Sequence, residues 1–352
     1  MAADPTPPPP GPDPSTRLAH PLAVSALGRA LANAAGPRIA VVGASKNAGK
    51  TTTLNALLAA TAAAGLRAGL VSIGRDGEAF DAWLDFAKPR VRVEKGSLVV
   101  TASSVAAQSG RLLELLMTLD SSSSLGPNCL ARARFPGGVE LCGVPHRRAL
   151  IEAVANLQAW GAQRVLIDGA YHRQATVHPQ VSDGVVVAVG AVLGANAGEA
   201  ALEAWPTLWA LSRSPWPGET SPLAPLHWQG GVTDGYLPDI MAQIKLLRET
   251  SHRDTALVAA DPSRLLLSAR GIGQLEANGI GVFVARAVPL VAVTTNPFRP
   301  ADSEPSAAWL DAVAELLEHR GLGHIPLLDV VSGERVGPGQ TAPLPGAKTP
   351  LS

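Results

Sequence analysis

Short apolar runs rich in Val, Ile and Leu alternate along the chain with stretches in which apolar residues recur every three or four positions. The runs have the length of strands, and the longer stretches have the period of amphipathic helices. The predicted strands occupy residues 38–42, 67–73, 98–101, 139–143, 165–167, 185–189, 255–259, 289–294 and 325–331. Strands that alternate with helices predict an α/β fold in which helices flank a mostly parallel sheet.

Helices are indicated where apolar residues repeat along one helical face, and two of these stretches end at a glycine. The repeating residues are Leu54, Leu57, Leu58 and Thr61, then Leu150, Ile151, Val154 and Leu157 before Gly161, then Trp309, Leu310, Val313, Leu316 and Leu317 before Gly321. A serine run at 121–124, followed by Leu-Gly-Pro, predicts a loop.

Proline-rich ends frame this pattern. Residues 1–20 and 336–352 are predicted to be disordered tails, because proline lacks a backbone donor and these segments cannot build a core. Between them, residues 21–204 form a first α/β domain and residues 205–236, rich in Pro and Trp, form a connection. The pattern leaves open whether residues 237–335 extend the first sheet as a C-terminal α/β segment or form a second domain.

Composition narrows the range of partners. The 352 residues are 46% hydrophobic and 16% charged, with a formal net charge of zero, so nothing favours nucleic acid or an acidic membrane surface. The longest uncharged apolar stretch, residues 185–198, is too short to span a bilayer. The N-terminus has no signal-peptide pattern, so a cytoplasmic protein is expected.

Cysteine and histidine give no metal pattern. The chain has two cysteines, Cys129 and Cys142, and the sequence leaves open whether they form a disulfide. No CxxC or paired-histidine spacing is present, and the histidines are scattered. A zinc site is therefore not expected.

The segment RIAVVGASKNAGKTTTLNALLAA carries the main chemical signal. An apolar strand enters a loop of small residues, and a helix follows. Small residues let several backbone amides approach a polyphosphate, and the helix N-terminus favours its negative charge. Lys50 is predicted to contact the β- and γ-phosphates, and the Thr51 hydroxyl to contact Mg²⁺. The binding residues are predicted to be Gly43, Ala44, Ser45, Lys46, Asn47, Ala48, Gly49, Lys50, Thr51 and Thr52.

This loop departs from the usual GxxxxGK[ST] pattern in its first position. Ala44 stands where that pattern has glycine, and Gly43 precedes it by one residue. Ala44 is acceptable there if its backbone dihedral angles are ordinary. Lys46 in the same loop has two interpretations: a solvated lysine, or a contact to the nucleotide of a second subunit.

Carboxylates follow two of the predicted strands. Asp168 ends an apolar strand and is predicted to belong to the magnesium shell, although Asp-Gly is also a common turn pair. Asp76 and Glu78 follow the second strand and are placed to orient water or reach Mg²⁺, with Arg75 stabilising charge on the γ-phosphate. A plain turn with solvated charges is the alternative. Asp183 is predicted to form a structural turn.

The choice of base depends on weaker features. Asn296 ends a late strand, and its amide offers the donor and acceptor that complement an adenine edge, although a strand-ending turn would also use asparagine. The Asn/Thr-Lys-x-Asp stretch with which a GTPase would read guanine is absent from the sequence. ATP is therefore predicted rather than GTP.

The loop, Asp168 and the SDGVVVAVGA strand resemble the class of P-loop proteins that includes dethiobiotin synthetase, cobyric acid synthase and the MinD-type ATPases. More narrowly, SIGRDGE, VELCG, LIDGAYHR and AVTTNP, in that order, resemble the ATP-binding subunit of the reactivating factor for adenosylcobalamin-dependent lysine 5,6-aminomutase, over roughly residues 37–330. The resemblance implies a Mg²⁺-dependent ATPase that acts with a protein partner to expel damaged cobalamin from a mutase.

Two other functions stay open. An ATP-dependent ligase or kinase, like dethiobiotin synthetase, would use Arg132, Arg134 or Arg147 to bind a small carboxylate. A metal-insertion GTPase is disfavoured by the missing guanine stretch and the missing Cys/His pair.

Overall fold

A ten-stranded, mostly parallel sheet flanked by helices forms the centre of the protein, which confirms the predicted α/β class. The computed structural model describes residues 20–45, 48–74, 90–169, 174–190, 193–218, 222–296, 306–333 and 335–336. The predicted tails therefore lie almost entirely outside the described residues.

The strands, in chain order, are β1 Arg38–Gly43, β2 Ala68–Ser72, β3 Val91–Val93, β4 Leu98–Ala102, β5 Leu113–Ser123, β6 Gly126–Ala133, β7 Gly137–Val139, β8 Arg164–Gly169, β9 Gly184–Gly190, β10 Ala224–Trp228, β11 Val232–Thr233, β12 Thr255–Ala259, β13 Leu265–Leu266, β14 Gly281–Val284, β15 Leu290–Asn296, β16 Leu327–Asp329 and β17 Arg335–Val336. The helices are α1 Pro21–Ala32, α2 Lys50–Ala63, α3 Ser103–Gln108, α4 Arg147–Ala159, α5 Ala197–Leu211, α6 Leu237–Ser251, α7 Ala269–Ala277 and α8 Ser306–His319.

Strand β1 occupies the middle of the main sheet. The strand order is β17-β16-β15-β9-β1-β8-β2-β4-β6-β5, and β1 pairs in parallel with both β8 and β9. Every residue of β9 is buried, as expected for a strand covered by helices on both faces. The pairs β4–β6, β5–β6 and β16–β17 are antiparallel and lie toward the two edges of the sheet.

Two hydrophobic cores cover the two faces of this sheet. Val41 belongs to one core with Leu57 of α2, and its neighbour Val42 belongs to the other core with Leu150 of α4. Successive residues of a strand point to opposite faces, so β1 contributes to both cores. This double burial fixes the position at which β1 ends and α2 begins.

The second half of the chain leaves the main sheet and then returns to it. Strands β10, β12 and β14 form a separate parallel sheet of three strands. The chain then forms β15, which pairs in parallel with β9 of the main sheet. The predicted connection at 205–236 includes the end of α5 together with β10 and β11.

The loop predicted over residues 121–124 is wrong for its first three residues, which belong to β5. Strand β5 is the edge strand of the main sheet, and much of it is exposed. Its pairing with β6 determines its conformation, and the polar Asp-Ser-Ser-Ser run at its end has the composition of a loop. Helix α1 was also not predicted.

A partly buried ion pair connects the turn before β9 to β1. Asp183 accepts hydrogen bonds from the backbone amide and the Nε of Arg38, at 2.9 and 3.0 Å, and so connects the turn before β9 to the start of β1. Cys129 and Cys142 are buried free thiols. Within the described ranges, no helix is both long and apolar enough to cross a bilayer.

Candidate functional site

The segment between β1 and α2 starts at the carboxyl end of the central strand, which is where ligands bind in open α/β sheets. Gly49 has a left-handed φ of 89° and directly precedes Lys50, the first residue of α2. Glycine offers no side chain to cap the helix, and the start of a helix presents backbone amides that favour an anion. Thr51 and Thr52 follow in that turn, and both are half-buried.

The Lys50 side chain lies back across this loop. Its Nζ donates to the carbonyl oxygen of Ser45 at 3.4 Å. A Cβ on Gly43 would stand 2.9 Å from Cγ of Lys50 and 2.8 Å from the carbonyl oxygen of Ser45, so glycine at 43 permits this close approach. Ala44 is buried, its φ is not positive, and its amide donates to the carbonyl oxygen of Ala188 at 2.9 Å. The departure from the usual pattern at Ala44 therefore causes no backbone strain.

Strands β9 and β15 hold the loop in place. A Cβ on Gly190, at the end of β9, would lie 2.6–2.8 Å from backbone atoms of the buried Ala48. From β15, the hydroxyl oxygen of Thr294 lies 2.7 Å from that of Thr53 in α2. Asn296 packs against Gly49, where an added Cβ would be 2.7 Å from the Asn296 Cβ. The structure thus places Asn296 beside the start of α2.

Asp168 lies on the strand next to β1. It is opposite Val41 of β1 on one side and opposite Ser72 of β2 on the other. The Ser72 hydroxyl donates to the Asp168 carboxylate at 3.3 Å. Thr51, Ser72 and Asp168 offer hydroxyl and carboxylate oxygens, the donors that suit Mg²⁺, which takes much of its shell from water and phosphate.

Several predicted site residues are not covered by these observations. Lys46, Asn47, Asp76 and Glu78 lie outside the described residues, as does Arg75. The structure brings the remaining loop residues, from Gly43 to Thr52, together with Asn296, and places Asp168 on the adjacent strand.

Sequence reasoning missed three residues that support the site. Ser72, Gly190 and Thr294 each lie at or near the carboxyl end of a strand in the main sheet. That shared position was the available signal, because the carboxyl ends of parallel strands meet at one edge. The sequence does not reveal the strand order, which makes β9 and β15 the neighbours of the loop.

The three arginines suggested as carboxylate ligands are separated in the fold. Arg132 lies in β6 and Arg134 follows that strand, toward one edge of the main sheet. Arg147 begins α4 and lines a cavity. The three side chains therefore do not form one cluster.

In the part of the chain that the structure describes, no group of three His, Cys, Asp or Glu side chains is arranged to hold a metal ion. Comparison with protein-family models and with curated proteins gives no match. The function of the protein is therefore inferred from the geometry of the site.

Proposed function

We propose that this protein binds ATP with Mg²⁺ at the loop between β1 and α2. One observation carries the proposal: a left-handed glycine, Gly49, turns the chain at the carboxyl end of a central parallel strand, so that Lys50 opens an uncapped helix. Backbone amides, a lysine and a helix N-terminus at one point are the features that bind a polyphosphate.

Each residue has a distinct role in this proposal. The amides around Gly49 would hold the phosphate oxygens, and Lys50 would leave the Ser45 carbonyl to contact the β- and γ-phosphates. Thr51 and Asp168 would hold Mg²⁺, directly or through water, and the ion would neutralise charge on the phosphates. Ser72 would orient the Asp168 carboxylate through the hydrogen bond that it donates.

The test is isothermal titration with ATP in the presence and absence of Mg²⁺. Lys50→Ala is expected to weaken ATP binding by about 10- to 100-fold, the range for a lost charged hydrogen bond. Asp168→Asn is expected to remove most of the gain in affinity that Mg²⁺ provides while leaving metal-free binding unchanged. Lys95→Ala, at an exposed lysine outside the loop, is the matched control and should bind like the parent.

Parent-like binding by Lys50→Ala would refute the assignment of the loop. A parallel titration with GTP tests the predicted preference for ATP, and tighter binding of GTP would contradict it.

The finer proposal is that ATP hydrolysis acts on a protein partner, as in the reactivating factor that the sequence resembles. The client would then be an adenosylcobalamin-dependent aminomutase. We expect slow hydrolysis by the protein alone and faster hydrolysis with the mutase and the second factor subunit. An equal rate under both conditions would exclude this partner.

The ligase or kinase hypothesis is the second candidate, and the cavity at Arg147 favours it. In that case ADP release would depend on a small carboxylate rather than on a protein. Assaying ADP release with a panel of carboxylates, and separately with the mutase, distinguishes the two candidates.

A further inference from the structure

A cavity of about 580 Å³ lies outside the phosphate loop. The first half of α4 forms one wall, residues after β8 form another, and the turn at 261–264 closes it. Its polar lining comprises His146, Arg147, Arg148, Gln180, Ser263 and Arg264. The volume is that of pockets that bind small organic molecules.

The lining of this cavity carries excess positive charge. Its acidic residue, Glu152, pairs with Arg148 one turn earlier on α4, with Nε 3.2 Å from Oε1. Neither Arg147 nor Arg264 forms an ion pair or side-chain hydrogen bond with any residue that the structure describes, and the Arg264 Nε is buried without a partner. Arginine presents a planar set of donors that matches the oxygens of carboxylate and phosphate groups.

Buried hydrogen bonds fix the turn that holds Arg264. Asp261, 2% exposed, accepts hydrogen bonds from the backbone amide and the hydroxyl of Ser263. The other carboxylate oxygen of Asp261 lies 3.6 Å from Nε2 of the buried His178, whose Nδ1 accepts the Gln180 amide at 3.1 Å. Both carboxylate oxygens of Asp261 thus have partners inside the protein, so Asp261 does not neutralise the positive charge of the cavity lining.

Arg147 and Arg264 line the same cavity, and their positive charges also act on the buried His178. Burial lowers the pKa of His178, Asp261 opposes that shift, and the positive charges of Arg147, Arg286 and Arg264 lower it further. His146 adds a donor to the lining, because its Nδ1 accepts the Ala149 amide at 3.2 Å and its proton is therefore on Nε2.

We infer that this cavity binds a small organic anion that carries carboxylate or phosphate groups. Arg147 and Arg264 would bind the oxyanions from opposite walls, and Ser263 and Gln180 would orient them. Ile151 and Ala175 give the lining an apolar part that suits a short carbon skeleton. This inference is independent of the proposed nucleotide site, because it uses none of the loop residues.

The test uses the full chain and isothermal titration with citrate and with inorganic phosphate at constant ionic strength. Arg147→Gln and Arg264→Gln are each expected to weaken binding by about tenfold or more, since each removes charged hydrogen bonds. Arg111→Gln is the matched control, because Arg111 is exposed and does not line the cavity, and it should change affinity by less than about twofold. Arg264→Lys keeps the charge and should recover part of the lost affinity.

Lys50→Ala separates this inference from the nucleotide proposal. It should leave citrate binding unchanged, whereas Arg264→Gln should leave ATP binding unchanged, with circular dichroism showing that both variants are folded. In the Lys50→Ala variant, where phosphate binding at the loop is weakened, stronger binding of phosphate than of citrate would support a phosphate ester as the ligand of the cavity, and the reverse would support a polycarboxylate. Absence of binding by both probes at millimolar concentration, or equal losses in all three arginine variants, would overturn the inference.

Discussion

Replacement of Gly49 by alanine tests the structural basis of the phosphate loop. Gly49 has a φ of 89°, where an alanine costs about 1–2 kcal/mol. The added Cβ would also stand 2.7 Å from Cβ and 2.8 Å from Nδ2 of Asn296. Because the Asn296 Cβ is fixed to the backbone of β15, relief requires a shift of the strand or the loop, at roughly 1–3 kcal/mol. We expect a total loss of about 2–5 kcal/mol in the free energy of unfolding.

Gly65 provides a matched control for this prediction. It also has a left-handed φ, of 70°, but a Cβ there would meet no atom within 4 Å. Gly65→Ala should therefore cost only about 1–2 kcal/mol, the conformational part alone. Urea denaturation followed by circular dichroism measures both variants, and ATP titration should show weaker binding only for Gly49→Ala.

A second substitution isolates the contact itself. Asn296→Gly removes the Cβ that an alanine at 49 would meet, so the double variant should recover about 1 kcal/mol or more relative to additivity. If Gly49→Ala lowers the free energy of unfolding by no more than Gly65→Ala does, then Asn296 does not pack against the loop. The inference that β15 supports the loop would then be wrong.

Two further predictions concern the partly buried ion pair of Arg38 with Asp183 and the buried thiol of Cys129. Burial raises the pKa of Asp183, but the hydrogen bonds and charge of Arg38 outweigh it and hold that pKa below its usual value. The ion pair therefore stabilises the fold above the unfolded pKa of about 3.9, and the stabilisation is lost as pH falls through the folded value. At pH 7, Asp183→Asn should lower the free energy of unfolding, measured by urea denaturation, by about 2–3 kcal/mol. The variant should also lose less stability than the parent as the pH is lowered, and an unchanged pH dependence would contradict this. Burial also raises the pKa of the Cys129 thiol, so a thiol reagent should modify it only as the protein unfolds, and fast labelling of the native protein would refute its burial.

The sequence predicted the strands that are buried on both faces. Strands β1, β8, β9, β12 and β15 appear as apolar runs because most residues of each strand are buried. The same reasoning located the loop from Gly43 to Thr52, since a strand, a small-residue loop and a helix are consecutive in the chain.

The remaining features depend on contacts between distant segments. The exposed edge strand β5 becomes a strand through its pairing with β6, and its own residues carry little signal. The support of Gly49 by Asn296, and the hydrogen bond from Ser72 to Asp168, require a strand order that the sequence does not state. The arginine-lined cavity likewise combines α4 with a turn formed far later in the chain.

The bracing of the loop by β15 has a consequence for how the protein is made. Thr53 and Thr294, whose hydroxyl groups are in contact, are separated by 241 residues. At a synthesis rate of roughly 5–20 residues per second, the ribosome produces β15 on the order of 10–50 s after the start of α2. The newborn chain therefore carries the amides and the lysine of the loop without the strand that holds them in place, and nucleotide can help its folding only after β15 has been synthesised.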